Sequence, residues 1–147
     1  MPQTGLLFSN ALFVFALCCD CIFLPGVANA EERSSTPSTE AALGPDGVQR
    51  VTILLDSYSY APSHVVVQSG KPLELTLNSL TFLTPHNFVL KNQDLGVDID
   101  ETVWGGGTEV VRFTPSKPGL YPFYCDKKLP FFPSHRDQGM EGTLDVK

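Results

Sequence analysis

The residues with the most chemistry in this chain lie close together near its end. Between Tyr124 and Met140 the sequence supplies a thiol at Cys125, an imidazole at His135 and a thioether at Met140. A second imidazole stands further back, in Pro85-His86-Asn87 at the head of an apolar segment. Two imidazoles, one thiolate and a weakly binding thioether form a donor set that suits copper, because soft sulfur favours the cuprous ion and imidazole the cupric one. The chemistry to expect of such a set is the passage of single electrons.

Those four side chains need a stiff support that brings His86 beside Cys125. From Gln49 onward the chain consists of short apolar segments separated by Gly and Pro turns, with 12 Gly and 12 Pro in 147 residues. Strands are predicted over 51–55, 65–68, 73–78, 87–90, 109–113, 120–124 and 143–146. Leu73, Leu75 and Leu77 share one face while Glu74 and Thr76 take the other, the alternation of a half-buried strand. Seven or eight such strands in about a hundred residues predict an all-β Greek-key sandwich. Residues 91–107 lack a strong period and end in three glycines, so a loop or short irregular helix is expected there. No amphipathic helical period is present in the domain.

The first thirty residues read differently. Gly5 to Cys19 is apolar and uncharged, and Val27-Ala28-Asn29-Ala30 before Glu31-Glu32 resembles a cleavage site, so residues 1–30 are expected to be an export signal. Left uncleaved, the same segment would tether the protein to a membrane. Cleavage would remove Cys18, Cys19 and Cys21 and leave Cys125 as the one thiol, unable to form an internal disulfide. Residues 31–48 are rich in Ser, Thr, Pro, Glu and Ala and are expected to be a flexible linker, with the folded domain over 49–147. The protein is therefore expected in the periplasm or another exported compartment.

With 10 Lys and Arg against 16 Asp and Glu, the formal charge of -6 argues against nucleic acid as a partner. Nothing in the sequence calls for an oligomer, and a monomer is expected. His64, after Ala61-Pro62-Ser63, has no metal-binding neighbour in sequence and is read as a surface histidine. Trp104 is read as packing. In 127–133 the sequence Lys-Lys-Leu-Pro-Phe-Phe-Pro supports two readings, an apolar lid over the metal or a docking surface around His135 with Lys127, Lys128 and Arg136 as a cationic rim.

Pro85-His86-Asn87-Phe88 resembles the first-histidine motif of plastocyanin. The run from Phe113-Thr114-Pro115 through Gly119-Leu120-Tyr121 to Phe123-Tyr124-Cys125, followed by Gly139-Met140-Glu141-Gly142, is similar to the C-terminal half of plastocyanin-like cupredoxins. The resemblance spans the whole predicted domain. It implies one type 1 copper ion on His86, Cys125 and His135 with Met140 as axial ligand, and a supporting hydrogen-bonding role for Asn87. One difference is plain: plastocyanins place two residues between the cysteine and the second histidine, and nine intervene here.

The function implied is a one-electron carrier or relay, not an enzyme, working with a haem or copper redox partner whose docking surface is acidic. The alternative is copper binding and delivery, or an accessory role for an oxidase or a metal-uptake system. A catalytic copper site would need further histidines, and only His64 remains after His86 and His135.

Overall fold

The computed structural model describes residues 37–147. The signal expected over 1–30 and the first part of the expected linker lie outside the described residues. Eleven strands and one short 3-10 helix make up the described part, in the order β1 Ser38–Glu40, β2 Ala42–Leu43, β3 Gln49–Asp56, β4 Ser59–Ala61, β5 His64–Val67, β6 Leu73–Ser79, β7 His86–Asn92, β8 Val97–Val103, β9 Thr108–Phe113, β10 Gly119–Tyr124 and β11 Glu141–Val146. The helical turn, Arg136–Gln138, precedes β11.

Two sheets face each other. One runs β1-β5-β11-β10-β7-β8 and the other β2-β3-β6-β9, with β4 also paired to β3. The pairing of β3 with β6, of β5 with β11 and of β1 with β5 is parallel, and the remaining ladders are antiparallel. All seven strands expected from alternation are present, and the sandwich is the predicted architecture.

The core lies between the sheets. Ile53 and Leu55 of β3 and Leu73, Leu75 and Leu77 of β6 meet Phe88 and Leu90 of β7 and Phe123 of β10, all essentially excluded from solvent. Each strand contributes alternate residues, as a pleat with one apolar face requires. Phe88 and Phe123 pack with ring centroids 4.9 Å apart, and Tyr60 stands edge-on to Phe123 at 5.1 Å. The Tyr60 hydroxyl donates to the Asn87 carbonyl at 2.6 Å, which satisfies a buried phenol and ties β4 to β7.

Three expectations are corrected. Residues 91–107 contain β8, which pairs with β7 along its whole length from His86 opposite Val103 to Asn92 opposite Val97. The second half of the expected linker is ordered, because Ser38, Thr39 and Glu40 pair in register with His64, Val65 and Val66, while Ala42 and Leu43 pair with Arg50 and Gln49. Ser38, Thr39 and Glu40 have no apolar face of their own, and both short strands are exposed and fixed by the hydrogen bonds of sheet edges, with Ala41 between them packed against the core. Trp104 does not pack: it is 70% exposed, in the loop between β8 and β9.

Candidate metal centre

The site lies at one end of the sandwich, where three elements deliver their donors. His86 opens β7, immediately after Pro85, and its side chain is fully buried. Cys125 follows the last residue of β10, and its amide donates to the Met140 carbonyl at 3.0 Å. His135 stands directly before the helical turn Arg136–Gln138, and the Met140 amide donates to its carbonyl at 2.9 Å. Gly139 ends that turn at φ 98°, a conformation that favours glycine, and reverses the chain so that Met140 enters the core.

The nine residues between Cys125 and His135 do not separate their side chains. The His135 amide donates to the Lys127 carbonyl at 2.8 Å, so the chain leaves at Lys127 and returns beside it. Residues 128–134 form an excursion from this pinch. Through space only Asp126 and Lys127 stand between the cysteine and the second histidine, which is the plastocyanin interval restored.

The donor atoms converge. Nδ1 of His135 lies 3.4 Å from Cys125 Sγ and 3.2 Å from Nδ1 of His86. One donor atom from each of the three residues falls within a sphere where no two are more than 4.8 Å apart. Bonds of about 2.0 Å to nitrogen and about 2.3 Å to sulfur, at near-trigonal angles, place donors about 3.5 Å from one another. The residues fit a single transition-metal ion. The buried Nε2 of His86 has no hydrogen-bonding partner among the described residues, so the productive interactions of this ring are on its Nδ1 side.

The electrostatics favour neutral imidazole. Burial, followed by the neighbouring His135, pushes the His86 pKa down to about 4, against a weak opposing pull from Asp56. Burial also lowers His135. Both rings therefore keep a lone pair free for a metal at neutral pH. Burial pushes the Cys125 thiol up, and the Asn87 N–H acts in the opposite sense.

That N–H belongs to a clamp. The Asn87 amide reaches Cys125 Sγ at 3.4 Å, while its side-chain Nδ2 donates to Asp100 and Asp126 at 2.8 Å each. Its Oδ1 accepts the Asp126 amide at 3.1 Å. One side chain thus joins β7, β8 and the segment after β10, the role the resemblance implied for Asn87, with Asp100 as a partner that sequence reasoning missed. Such partners orient ligands and tune the electron density at sulfur.

Met140 is fully buried, and its backbone is bonded to both Cys125 and His135. His64 lies away from this cluster on β5, with Nε2 3.5 Å from Asp145 Oδ2. Next to the site, Tyr58, Thr84, Leu129, Phe132, Pro133, His135 and Gln138 line a cleft of about 140 Å³. Tyr58 presents its ring edge-on to His135 at 5.1 Å, a contact with no signal in the sequence. The Arg136 guanidinium lies 4.0 Å from the centre of the Tyr124 ring, and its Nε is 3.4 Å from Glu141 Oε2.

Comparison with known proteins agrees with the fold. No curated protein matches the chain. Among solved structures, the metal binding domain of the Cu(I) exporting P-type ATPase CopA of Streptococcus pneumoniae D39, with Cu(I), is 24% identical over 76% of this chain and 97% of its own, with a TM-score of 0.58. Auracyanin from the photosynthetic bacterium Roseiflexus castenholzii is 20% identical over 67% of this chain and 96% of its own, with a TM-score of 0.54. Auracyanin A, a "blue" copper protein of Chloroflexus aurantiacus, is 18% identical over 67% and 99%, with a TM-score of 0.50. At these identities the likeness establishes the fold. The model of the cupredoxin-like domain matches residues 30–143, most of the chain, and with the sandwich and the His-Cys-His cluster described above this protein belongs to the cupredoxin-like domain family.

Proposed function

We propose that this chain is an exported one-electron carrier that holds a single type 1 copper ion on His86, Cys125 and His135, with Met140 as the axial ligand. The observation that carries the reading is the convergence of two neutral imidazoles and the one thiol of the described residues at buried positions, with His135 Nδ1 within hydrogen-bonding distance of both other donors. Copper, when bound, supplies a centre that alternates between cuprous and cupric states.

The protein's own residues do the rest. Neutral imidazoles present lone pairs, and the Asn87 N–H bears on the negative charge of a thiolate at Cys125. His86 opens β7, Cys125 follows β10 and Met140 precedes β11, so three of the proposed ligands stand at strand ends of one sheet, which limits rearrangement between oxidation states. His135, 5% exposed at the cleft, is the ligand nearest to solvent and the natural point of electron exit. A haem or copper protein with an acidic surface is the proposed partner, met by Lys127, Lys128 and Arg136, and the protein is proposed to act as a monomer in the periplasm or another exported compartment. It transforms no substrate.

Visible and EPR spectra of the copper-loaded chain test this reading. A strong thiolate-to-copper band that disappears in Cys125→Ser is expected, and its absence from the parent protein would refute the type 1 assignment. A second reading, copper delivery, draws on the likeness to a domain that carries Cu(I) in its own transporter. Complete burial of Cys125 and Met140 favours the carrier, since delivery needs exchangeable ligands. Slow loss of copper to a chelator separates the two.

A further inference from the structure

The end of the sandwich that holds His86 and His135 carries an unusual concentration of exposed apolar side chains. Phe82 and Leu83, in the loop between β6 and β7, are each 86% exposed, Trp104 is 70% exposed, and in the excursion Leu129 and Phe132 are each 66% exposed, with Phe131 as open as in an extended peptide. The three loops adjoin. The Gly106 amide donates to the Thr81 carbonyl at 2.7 Å, and a side chain at Gly105 would run into the backbone of Phe82. The excursion reaches the first of these loops through the cleft that Leu129 and Phe132 share with Thr84.

None of the three loops has a charge in its exposed part. Residues 80–85 read Leu-Thr-Phe-Leu-Thr-Pro, 104–108 Trp-Gly-Gly-Gly-Thr and 129–134 Leu-Pro-Phe-Phe-Pro-Ser, in a chain of formal charge -6. Cations stand at the foot of the excursion, where Lys128 follows the Lys127 to His135 pinch. Soluble monomers rarely leave so large an apolar area open, and such areas mark protein or membrane contacts.

We propose that this crown of loops enters the interface of a lipid bilayer, with the metal end of the domain facing the membrane. Six large side chains projecting from three separate loop tips require a matched pocket for each on a solid protein face. A bilayer interface requires only depth, and it favours aromatic rings above an apolar boundary with lysines at the headgroup level. The absence of charge across all three tips suits the acyl boundary, while Lys127 and Lys128 at the foot of the excursion stay at the headgroup level, where the acidic partner proposed above is met. The proposal concerns surface chemistry alone and does not depend on which metal the site holds.

Trp104 is the one tryptophan of the chain and therefore an internal probe. The copper-loaded full chain is mixed with vesicles of phosphatidylethanolamine and phosphatidylglycerol, and sedimentation, Trp104 emission and acrylamide quenching are measured. The expected result is co-sedimentation with a blue shift and protection of Trp104. The double variant Phe82→Ser, Phe131→Ser should reduce partition on the order of tenfold or more while leaving the copper spectrum unchanged. Two results would overturn the proposal: no partition, or partition through another part of the chain with Trp104 as exposed to acrylamide as in buffer. A protein-docking crown would show itself as slower electron exchange in the double variant with Trp104 unmoved by vesicles, and that too is a refutation.

Discussion

The Lys127 carbonyl accepts the His135 amide at 2.8 Å, and this one backbone bond decouples the length of the ligand loop from the geometry of the ligands. Replacing residues 128–134 by Asn-Gly, a pair that closes a tight antiparallel turn, should therefore leave the copper site assembled. The visible band and EPR parameters of the loop-replaced protein are expected to match the parent. Loss of the band would mean that the excursion itself shapes the site.

Acid should destabilise the metal-free protein in a defined window. His86 has a pKa of about 4 in the folded chain against about 6.5 when unfolded, so the unfolded state binds the extra proton between these values. Stability is fully present above pH about 6.5 and declines as pH falls toward 4, by up to about 3 kcal/mol from this ring. Urea titrations across that range should show the decline. A His86→Gln variant, which cannot protonate there, should show a shallower one.

The clamp at Asn87 should contribute to stability as well as to the site. Asn87→Ala leaves Asp100 and Asp126 without their shared donor, a loss of about 1–3 kcal/mol in chemical denaturation. Asp100→Ala, which leaves Asn87 bonded to Asp126, should cost only about 1 kcal/mol. Equal losses in the two variants would show that the three residues do not act as described.

Gly142 offers a packing test. A methyl group there would press on the Phe123 ring and on the Ser63 carbonyl at 2.5 Å, a backbone atom that cannot move aside alone. Gly142→Ala is expected to destabilise the domain by about 1–3 kcal/mol, the range for overpacked cores. A thermal melt unchanged from the parent would contradict the close approach of β11 and β5.

The sequence made the interior legible and the edges obscure. Leu73, Leu75 and Leu77 declare β6 because one face of it is wholly buried, and β3, β7 and β10 announce themselves in similar ways. In β8, Val97 and Ile99 alternate with Asp98 and Asp100, but carboxylates are depleted in strands and this strand lies at an edge where Val103 is buried and Val97 and Ile99 are only partly covered. The strands β1 and β2 are exposed at every residue and exist by pairing. At the metal centre the types and neighbours of His86, Cys125 and His135 were enough to pick out three residues that the structure brings together. The Lys127 to His135 pinch and the Tyr58 contact were not, since both depend on where the backbone turns back in space.

The parallel pairing of Ser38, Thr39 and Glu40 with β5 has a bearing on how the protein should be handled. β5 is flanked by β11 on one side and by this short strand on the other. A truncated chain starting at Gln49, the boundary composition suggests, would lay bare the hydrogen-bonding edge of β5, and open edges recruit strands from other molecules. Self-association, rather than unfolding, is the failure to expect from such a truncation. The first residues of the domain thus act as a guard against polymerisation, a task that needs backbone and no particular side chain.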